Sequence, residues 1–241
     1  METSLTYPTI GIIGAGFIGS TLAKQLVALG HQVNISNSRG PDTLAEVATL
    51  TGASPVTNEE AVRGAELIIL AIPFGKIASL PRGLFDLRQA KAFIIDTNNY
   101  TIHRDGRIEQ LLDGSIKTES RWVEQQIGAP VVRAFSNIVA QRIIDLAKPE
   151  GAEDRIALPV FADDPEAKAV VMKLVNSIGF DPVDGGSIDD SWRVQLGTPA
   201  SGTPDFIEKD LNAVALKRAL SEATVEQNAN YRTSALERLQ S

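Results

Sequence analysis

The sequence predicts an α/β fold: a doubly wound, mostly parallel sheet followed by a small C-terminal α/β portion. Three observations support this class. Short apolar runs without polar alternation recur over about the first 140 residues, as expected of strands buried on both faces. Stretches with helical periodicity separate these runs. A glycine-rich turn follows the first run and leads directly into the first helical stretch.

The first half of the chain alternates predicted strands with predicted helices. Residues 9–13 form the first strand, and the helix that follows ends at Gly30. The apolar face of this helix is predicted to carry Ile18, Leu22, Leu26 and Leu29. HQVNIS is the second strand, and DTLAEVATLTG and ESRWVEQQIG are further helices. Other strands are predicted at 66–72, 92–97 and 130–135.

The second half is less regular. RIALPVFA is predicted to be a strand, and DPVDGG a short strand and turn. Between them, Asp164 and Gly179 delimit a helix with Pro165 at its first position. Residues 191–206 are rich in Gly, Pro, Ser and Thr and are interpreted as an ordered loop near the cleft. A helix from about 211 to 225 and a polar tail complete the chain.

Composition excludes several classes of function. The net charge of −7 leaves no basic surplus, so no nucleic-acid partner is expected. The absence of cysteine excludes disulfides, thiolate metal sites and cysteine nucleophiles, and no histidine–carboxylate motif indicates a metal. No secretory signal is recognised, and the apolar runs are too short to span a bilayer. We therefore expect a cytoplasmic protein with no membrane partner.

Three glycines have the G-x-G-x-x-G spacing that is typical of a dinucleotide-binding turn. Gly14 permits the tight turn, Gly16 lets a pyrophosphate approach the backbone, and Gly19 lets the helix pack on the strand. Phe17 and Ile18 lie within the turn, where the helix N-terminus favours an anion. Glycines also collect in ordinary turns, but the preceding buried strand and the following amphipathic helix favour a dinucleotide site.

The segment after the second predicted strand indicates which dinucleotide binds. NAD enzymes carry an acidic residue there, which binds the ribose 2′-hydroxyl. This chain has no acid but a run of other polar residues: Ser36, Asn37, Ser38 and Arg39. A carboxylate would repel a 2′-phosphate, whereas a guanidinium attracts it and the neighbouring side chains add neutral donors. The alternative is a solvated loop arginine beside a helix N-cap. Charge complementarity favours NADP over NAD.

Few residues could act as catalytic acids or bases. His31 begins the second strand and is interpreted as a surface turn residue. His103 follows the strand at 92–97, whose carboxyl end should face the ligand crevice, so it is a candidate proton donor to a carbonyl or imine. The alternative is a loop histidine with a backbone contact. Hydride transfer between stacked rings needs alignment rather than a dedicated acid, which suits this composition.

Polar residues close the same strand. Asp96 and Thr97 end it, and Asn98 and Asn99 follow. Either amide could position a nicotinamide carboxamide or an acceptor oxygen, and Asn99 is a second candidate for the catalytic step. Alternatively, these side chains only shape the turn. Trp192 is interpreted as packing under the C-terminal helix rather than closing the cleft.

Five segments resemble a known family: IGIIGAGFIGSTLA, NISNSRGP, ILAIPF, VVRAF and GFDPVDGGSIDDSWRVQLGTP. They are similar to NADP oxidoreductases of the coenzyme F-420-dependent type, F-420 being a deazaflavin. The resemblance runs from about residue 8 to about residue 220. The ferric-reductase domains of vertebrate metalloreductases and the pyrroline-5-carboxylate reductases share the same N-terminal design.

The resemblance implies a Rossmann domain, a small C-terminal portion, a cleft between them and frequent homodimers. It implies that Ser38 and Arg39 contact the 2′-phosphate. It also places a set of residues beside the cofactor or near the nicotinamide: Ala71, Ile72, Pro73, Phe135 and Asn137. On this basis residues 1–137 are expected to bind NADP, and residues 138–241 to complete the acceptor cleft.

The expected function is that of an NADP(H)-dependent oxidoreductase. Hydride would pass between NADPH and coenzyme F-420, a flavin or another small acceptor, and imine, carbonyl or ferric acceptors stay open. The alternative from a different class is a non-catalytic NADP(H)-binding regulator. The expected partners are a small-molecule or cofactor substrate and a second copy of the chain in a homodimer.

Overall fold

A single mixed sheet forms the centre of the molecule. The computed structural model describes residues 9–201 and 210–239. Within them the sheet has eight strands in the order β3-β2-β1-β4-β5-β6-β7-β8. Their bounds are β1 Ile10–Ile13, β2 Val33–Ser36, β3 Ser54–Pro55, β4 Leu67–Leu70, β5 Phe93–Asp96, β6 Val132–Arg133, β7 Ala157–Phe161 and β8 Asp181–Gly186. All neighbouring pairs are parallel except β6 and β7. The predicted fold class is confirmed.

Helices follow most of the strands. The α-helices are α1 Phe17–Ala28, α2 Ala45–Thr51, α3 Asn58–Arg63, α4 Ile102–Asp105, α5 Glu109–Leu112, α6 Glu119–Ile127, α7 Ala140–Asp145, α8 Pro165–Ile178, α9 Ala213–Glu222 and α10 Val225–Arg238. Segments of 3₁₀ helix lie at Pro41–Leu44, Phe74–Ser79, Leu84–Leu87 and Ile188–Val194. Across the described residues, no helix has both the length and the apolar character that a membrane span needs.

Strand β4 shows why the apolar runs lack polar alternation. Leu67 and Ile69 belong to one cluster of buried side chains, and Ile68 and Leu70 belong to another. Successive side chains of a strand point to opposite faces, so the two clusters lie on the two sides of the sheet. Burying each such side chain contributes about 1.5–3 kcal/mol, which makes this double burial the main stabilising term of the central strands.

The strand order creates a crevice between β1 and β4. The chain runs from β1 to β2 and β3 on one side, and from β4 to β5 and β6 on the other. In open parallel sheets, ligands bind at such a switch point, outside the carboxyl ends of the strands. The segments that follow β1, β4, β5 and β6 therefore define where a ligand site is expected.

Two residues near the end of α1 differ from the prediction. Leu29 is expected on the apolar face, but the helix ends at Ala28 and Leu29 is 42% exposed. The interpretation of His31 as a surface residue is wrong, because only 8% of it is exposed. Its backbone N–H donates to the carbonyl of Leu26 at 3.1 Å, which folds this residue back against the helix.

The C-terminal third contains more helix than predicted. Part of the predicted loop at 191–206 is 3₁₀ helix, and residues 202–209 lie outside the described residues. The predicted helix near 211–225 is α9, but the predicted polar tail is a second helix, α10. A capping box between Thr224 and Gln227 begins α10. The prediction of a tail is wrong because α10 packs through polar contacts, such as the 2.7 Å bond from Asn228 Nδ2 to the carbonyl of Leu196.

Residues from 138 onward extend the same sheet. Strand β7 pairs with β6 through Phe161 and Arg133, and β8 lies on the outer side of β7. The boundary expected at residue 137 thus falls within one continuous sheet. The division of roles between residues 1–137 and 138–241 stays a prediction.

Candidate dinucleotide and acceptor site

The three glycines of the turn have different surroundings. Gly14 has a φ of +115°, and a Cβ there would lie 2.1 Å from the carbonyl oxygen of Ala71. A Cβ at Gly19 would lie 1.8 Å from the carbonyl oxygen of Gly14. A Cβ at Gly16 would meet no atom within 4 Å. Gly14 and Gly19 are therefore required by the fold itself, whereas Gly16 leaves open space at the N-terminus of α1.

A cavity of about 480 Å³ lies at the switch point. Its walls come from the segments that follow β1, β4, β5 and β6. Nine of the predicted site residues line it: Gly16, Phe17, Ile18, Ala71, Ile72, Pro73, Asn98, Asn99 and His103. Phe135 also lines it, as the resemblance implied. Residues far apart in the sequence are thus brought to one place.

The walls of this cavity are mainly apolar. Phe17 is 91% exposed, an unusual state for a phenylalanine, and Ile72, Ile138 and Leu196 add further apolar surface. Among the described residues that line the cavity there is no aspartate or glutamate, and the charged one is Arg104. Such a cavity suits an anionic ligand with flat apolar parts. No described side chain caps the N-terminus of α1, which leaves its first N–H groups for an anion.

The segment after β2 lies outside the cavity lining. Ser36 is fully buried, and its hydroxyl donates to the carbonyl of Ile12 at 3.1 Å, so its proton is used within the fold. The Oδ1 atom of Asn37 accepts from the backbone N–H of Arg39 at 2.9 Å and shapes the turn. Ser38 and Arg39 are exposed. The two residues expected at a 2′-phosphate are therefore the accessible ones.

The two asparagines after β5 hold the cavity wall in place. Both N–H groups of the Asn98 amide are engaged, with the carbonyl of Leu70 at 3.1 Å and Asp96 Oδ1 at 3.0 Å. Asn99 donates through Nδ2 to the carbonyl of Ser136 and accepts through Oδ1 from Arg133 at 2.8 Å. The Asn98 amide thus has both N–H groups engaged, whereas Asn99 Nδ2 uses one of its two N–H groups in these contacts. These contacts are those of the turn-shaping alternative, and a role of either amide in binding stays a prediction.

His103 lies in the short helix α4 and is exposed at the cavity. The next two residues anchor this helix. Arg104 donates to Asp105 at 2.8 Å, and Asp105 also accepts from the backbone N–H groups of Gly75 at 3.0 Å and Thr101 at 2.9 Å. Burial alone would raise the pKa of Asp105, but the hydrogen bonds from Arg104, Gly75 and Thr101 outweigh it and lower that pKa.

A buried ionic network lies behind the wall that Asn99 forms. Arg133 is fully buried and lies 3.1 Å from Glu119 and 3.5 Å from Asp96. Glu119 also pairs with Arg232 of α10 at 3.3 Å. Arg133, Glu119 and Arg232 are not among the residues that the sequence patterns predict at the site. An arginine within the apolar segment VVRAF was the available signal, because a buried guanidinium must be paired.

Two other expected residues do not line this cavity. Asn137 does not line the cavity, and its Nδ2 atom lies 3.5 Å from the carbonyl of Ala200. Trp192 is half-buried, with the guanidinium of Arg193 4.6 Å from its ring centre. Within the described residues, no group of three or more His, Cys, Asp or Glu side chains could hold a metal ion.

The sheet order, the glycine turn and the cavity at the switch point define a Rossmann-type protein of the dinucleotide-binding class. The family model described as "NADP oxidoreductase coenzyme F420-dependent" matches residues 9–100. The resemblance expected from the sequence is therefore confirmed over these residues, which contain the glycine turn, Arg39 and the segment after β4.

Individual proteins show the same likeness. Protein YjhV of Escherichia coli is 54% identical over 52 residues, which are 22% of this chain and 38% of YjhV. The metalloreductase STEAP3 of Rattus norvegicus is 27% identical over 197 residues, 78% of this chain and 36% of STEAP3. The chain thus spans little more than a third of these curated relatives. A hypothetical protein of Sinorhizobium meliloti, with a solved structure, is 27% identical at a TM-score of 0.64, covering 87% of this chain and 95% of that one.

Proposed function

We propose that this chain is an NADP(H)-dependent oxidoreductase that transfers a hydride between NADPH and an acceptor in the cavity at the switch point. The observation that carries the proposal is the position of this cavity. It lies where parallel sheets bind nucleotides, and the open face of Gly16 borders it. The description of the matching family and the name of the metalloreductase relative agree with a reductase.

The residues present fit NADP. A Cβ at Gly16 would protrude into open space, which is the requirement for close approach of a pyrophosphate to the backbone. The free N–H groups at the start of α1 would bind this group, and Arg39 with Ser38 would bind the 2′-phosphate. Ala71, Ile72 and Pro73 would lie along the cofactor. When bound, NADPH supplies the hydride.

The apolar walls favour a ring-shaped acceptor. Phe17, Ile138 and Leu196 offer flat or branched apolar surface, and the lining lacks a carboxylate that could act as an acid or base. The chain would then align two rings and exclude water, which is sufficient for hydride transfer. A deazaflavin such as coenzyme F-420 or a flavin fits this arrangement.

A second candidate is reduction of a small imine or carbonyl compound. His103 is the observation in its favour, since it is exposed at the cavity and could donate the proton that such a product needs. A ferric acceptor, as the name of the metalloreductase relative suggests, is a third option at the same site.

A panel of acceptors tests the proposal. The protein is mixed with NADPH or NADH and with F-420, flavins, ferric chelates or cyclic imines, and oxidation of the nicotinamide is followed by absorbance. We expect faster oxidation of NADPH than of NADH with at least one acceptor. Tight NADPH binding without turnover would indicate the non-catalytic regulator instead, and absence of NADPH binding would overturn the proposal. We also propose that the chain forms the homodimer that the resemblance implies, and sedimentation of the same samples tests this.

A further inference from the structure

The loops that follow β5 and β6 are joined by one side chain. The Oδ1 atom of Asn99 accepts from Arg133, and its Nδ2 atom donates to the carbonyl of Ser136. A guanidinium can only donate, so the oxygen of the Asn99 amide must face Arg133. This fixes the orientation of the amide and leaves its nitrogen for Ser136. Arg133 thus determines which way Asn99 points.

The segment that Asn99 holds is strained. Phe135 has a φ of +58°, the only positive φ among the described residues other than glycine. A bulky side chain in this conformation costs of the order of 1–3 kcal/mol and persists only when surrounding contacts enforce it. The backbone N–H of Ala134 donates to the carbonyl of Asp96 at 3.2 Å on one side of Phe135, and Asn99 holds Ser136 on the other. Phe135 and Ser136 both line the cavity.

Arg133 is poorly explained as a stabilising residue. It is fully buried between two carboxylates, yet its Nε atom has no hydrogen-bond partner among the described residues. Buried ion pairs contribute little compared with apolar side chains of similar size, because desolvation offsets the attraction between the charges. A strand residue with apolar neighbours on either side would normally be aliphatic. The arginine therefore requires another reason, and its bond to Asn99 supplies one.

The network continues to the C-terminal helix. One carboxylate oxygen of Glu119 pairs with Arg133 at 3.1 Å, and the other pairs with Arg232 of α10 at 3.3 Å. Arg232 also donates to the carbonyl of Leu111 at 2.6 Å. Two arginines thus balance the carboxylates of Asp96 and Glu119. The charge balance anchors Arg133, so that its Nη2 atom, which donates to Glu119, also donates to Asn99 from a fixed position.

We propose that Arg133 is a positioning residue for the reaction: through Asn99 it holds the strained Phe135–Ser136 segment as the rigid wall against which the nicotinamide and its acceptor are aligned. This inference rests on the proposed function. Arg133 does not itself line the cavity but bonds to Asn99, which does, so its effect would be on alignment rather than on cofactor affinity. The described hydrogen bonds of Gly16, proposed for the pyrophosphate, and of Arg39, proposed for the 2′-phosphate, do not involve this network.

Two variants separate positioning from stability. Arg133→Lys retains a positive charge for Asp96 and Glu119 but lacks the planar fork that also reaches Asn99. Asn99→Ala leaves the ion pairs intact and removes the link together with the Asn99 amide at the cavity wall. Arg155→Lys is the matched control. Arg155 is 2% exposed and pairs with Asp181 at a distance of 2.7 Å, and neither residue lines the cavity. Circular dichroism and thermal melts show whether each variant is folded. If Arg133→Lys does not fold, the comparison is made with Asn99→Ala.

The measurements are the NADPH dissociation constant, the emission spectrum of bound NADPH and the single-turnover rate of hydride transfer. We expect Arg133→Lys and Asn99→Ala to keep the dissociation constant within about threefold, to alter the emission of the bound nicotinamide, and to slow transfer by about 10- to 100-fold, as small misplacements do. The double variant should be no slower than the slower single variant, since both act through one contact. Arg155→Lys should change none of these values.

Wild-type transfer rates and emission in both Arg133→Lys and Asn99→Ala would overturn the inference and leave the proposed function intact. Additive losses in the double variant would also overturn it, because the two residues would then act separately. If the wild-type protein does not bind NADPH, the proposed function fails first and the inference fails with it. If it binds NADPH but reduces no acceptor in the panel, the emission spectra decide about the inference. Altered emission in both variants then supports it, and wild-type emission in both overturns it.

Discussion

The backbone N–H of Gly14 donates a hydrogen bond of 3.0 Å to the carbonyl oxygen of Ser36. This bond ties the glycine turn to the carboxyl end of β2, and only Asn37 separates that end from the exposed pair Ser38 and Arg39. The helix N-terminus proposed for the pyrophosphate and the guanidinium proposed for the 2′-phosphate are therefore held together. Both anionic groups of NADP could bind without rearrangement of the chain, which limits the ordering cost of binding.

Arg39→Ala tests the choice between the two dinucleotides. Loss of charge-assisted hydrogen bonds costs about 1.5–3 kcal/mol, so NADPH should bind about 10- to 100-fold more weakly. NADH lacks the phosphate, and its binding should change by about twofold or less. Fluorescence titrations at one ionic strength measure both constants. Arg63→Ala, which removes an exposed arginine at the end of α3, controls for net charge. Equal losses for both cofactors would contradict the role of Arg39.

Gly16→Val and Gly19→Val should have opposite consequences. The valine at position 16 would project into open space, so the free energy of unfolding should change by about 1 kcal/mol or less while binding of either cofactor is lost. The valine at position 19 would clash with the carbonyl of Gly14 and should prevent normal folding. Thermal melts and NADPH titrations of both variants provide the comparison. Retained affinity in folded Gly16→Val would show that the pyrophosphate does not approach there.

Local signals in the sequence were sufficient for the sheet and the glycine turn, but not for the contacts around them. Buried parallel strands produce long apolar runs, so β1, β4 and β5 could be predicted directly. Strand β3, Ser54–Pro55, has only two residues and carries no such signal. The sequence of helix α10 resembles a polar tail, because its packing depends on side chains such as Asn228 and Arg232, which periodicity does not reveal.

The candidate site divides in the same way. The spacing of Gly14, Gly16 and Gly19 reflects backbone geometry, which is local, and therefore could be predicted. The hydrogen bond from Arg133 to Asn99 joins residues 34 positions apart, and no pattern in a single sequence predicts that two such residues are in contact. Asn99 could be predicted as a site residue, but not that both ends of its amide are engaged. This is why it fits a positioning role better than a catalytic one.

His103→Ala distinguishes the classes of acceptor. If the hydride passes to a ring such as F-420 or a flavin, the side chain is dispensable and the rate should stay within about twofold, as for most surface substitutions. If an imine or carbonyl compound is reduced, loss of the proton donor should lower turnover by at least about 100-fold. Steady-state rates with one acceptor of each kind, with His103→Gln as a second variant, make the comparison. An unchanged rate with every acceptor would remove His103 from the mechanism.

Asp105→Asn should show how pH affects the attachment of α4 beside the cavity. The pKa of Asp105 lies below its ordinary value of 3.8, because the bonds from Arg104, Gly75 and Thr101 to the carboxylate outweigh the effect of burial. The folded state thus binds this proton less readily than the unfolded state, so the stabilisation is complete well above pH 3.8 and is lost as pH falls through the lowered value.

Asp105→Asn should cost about 2 kcal/mol of unfolding free energy at pH 7, and this difference should shrink in acid. Urea denaturation at pH 7, 5 and 3 measures it, with the exposed Asp86→Asn as control. A difference that stayed constant down to pH 3 would mean that charge on Asp105 does not secure the helix.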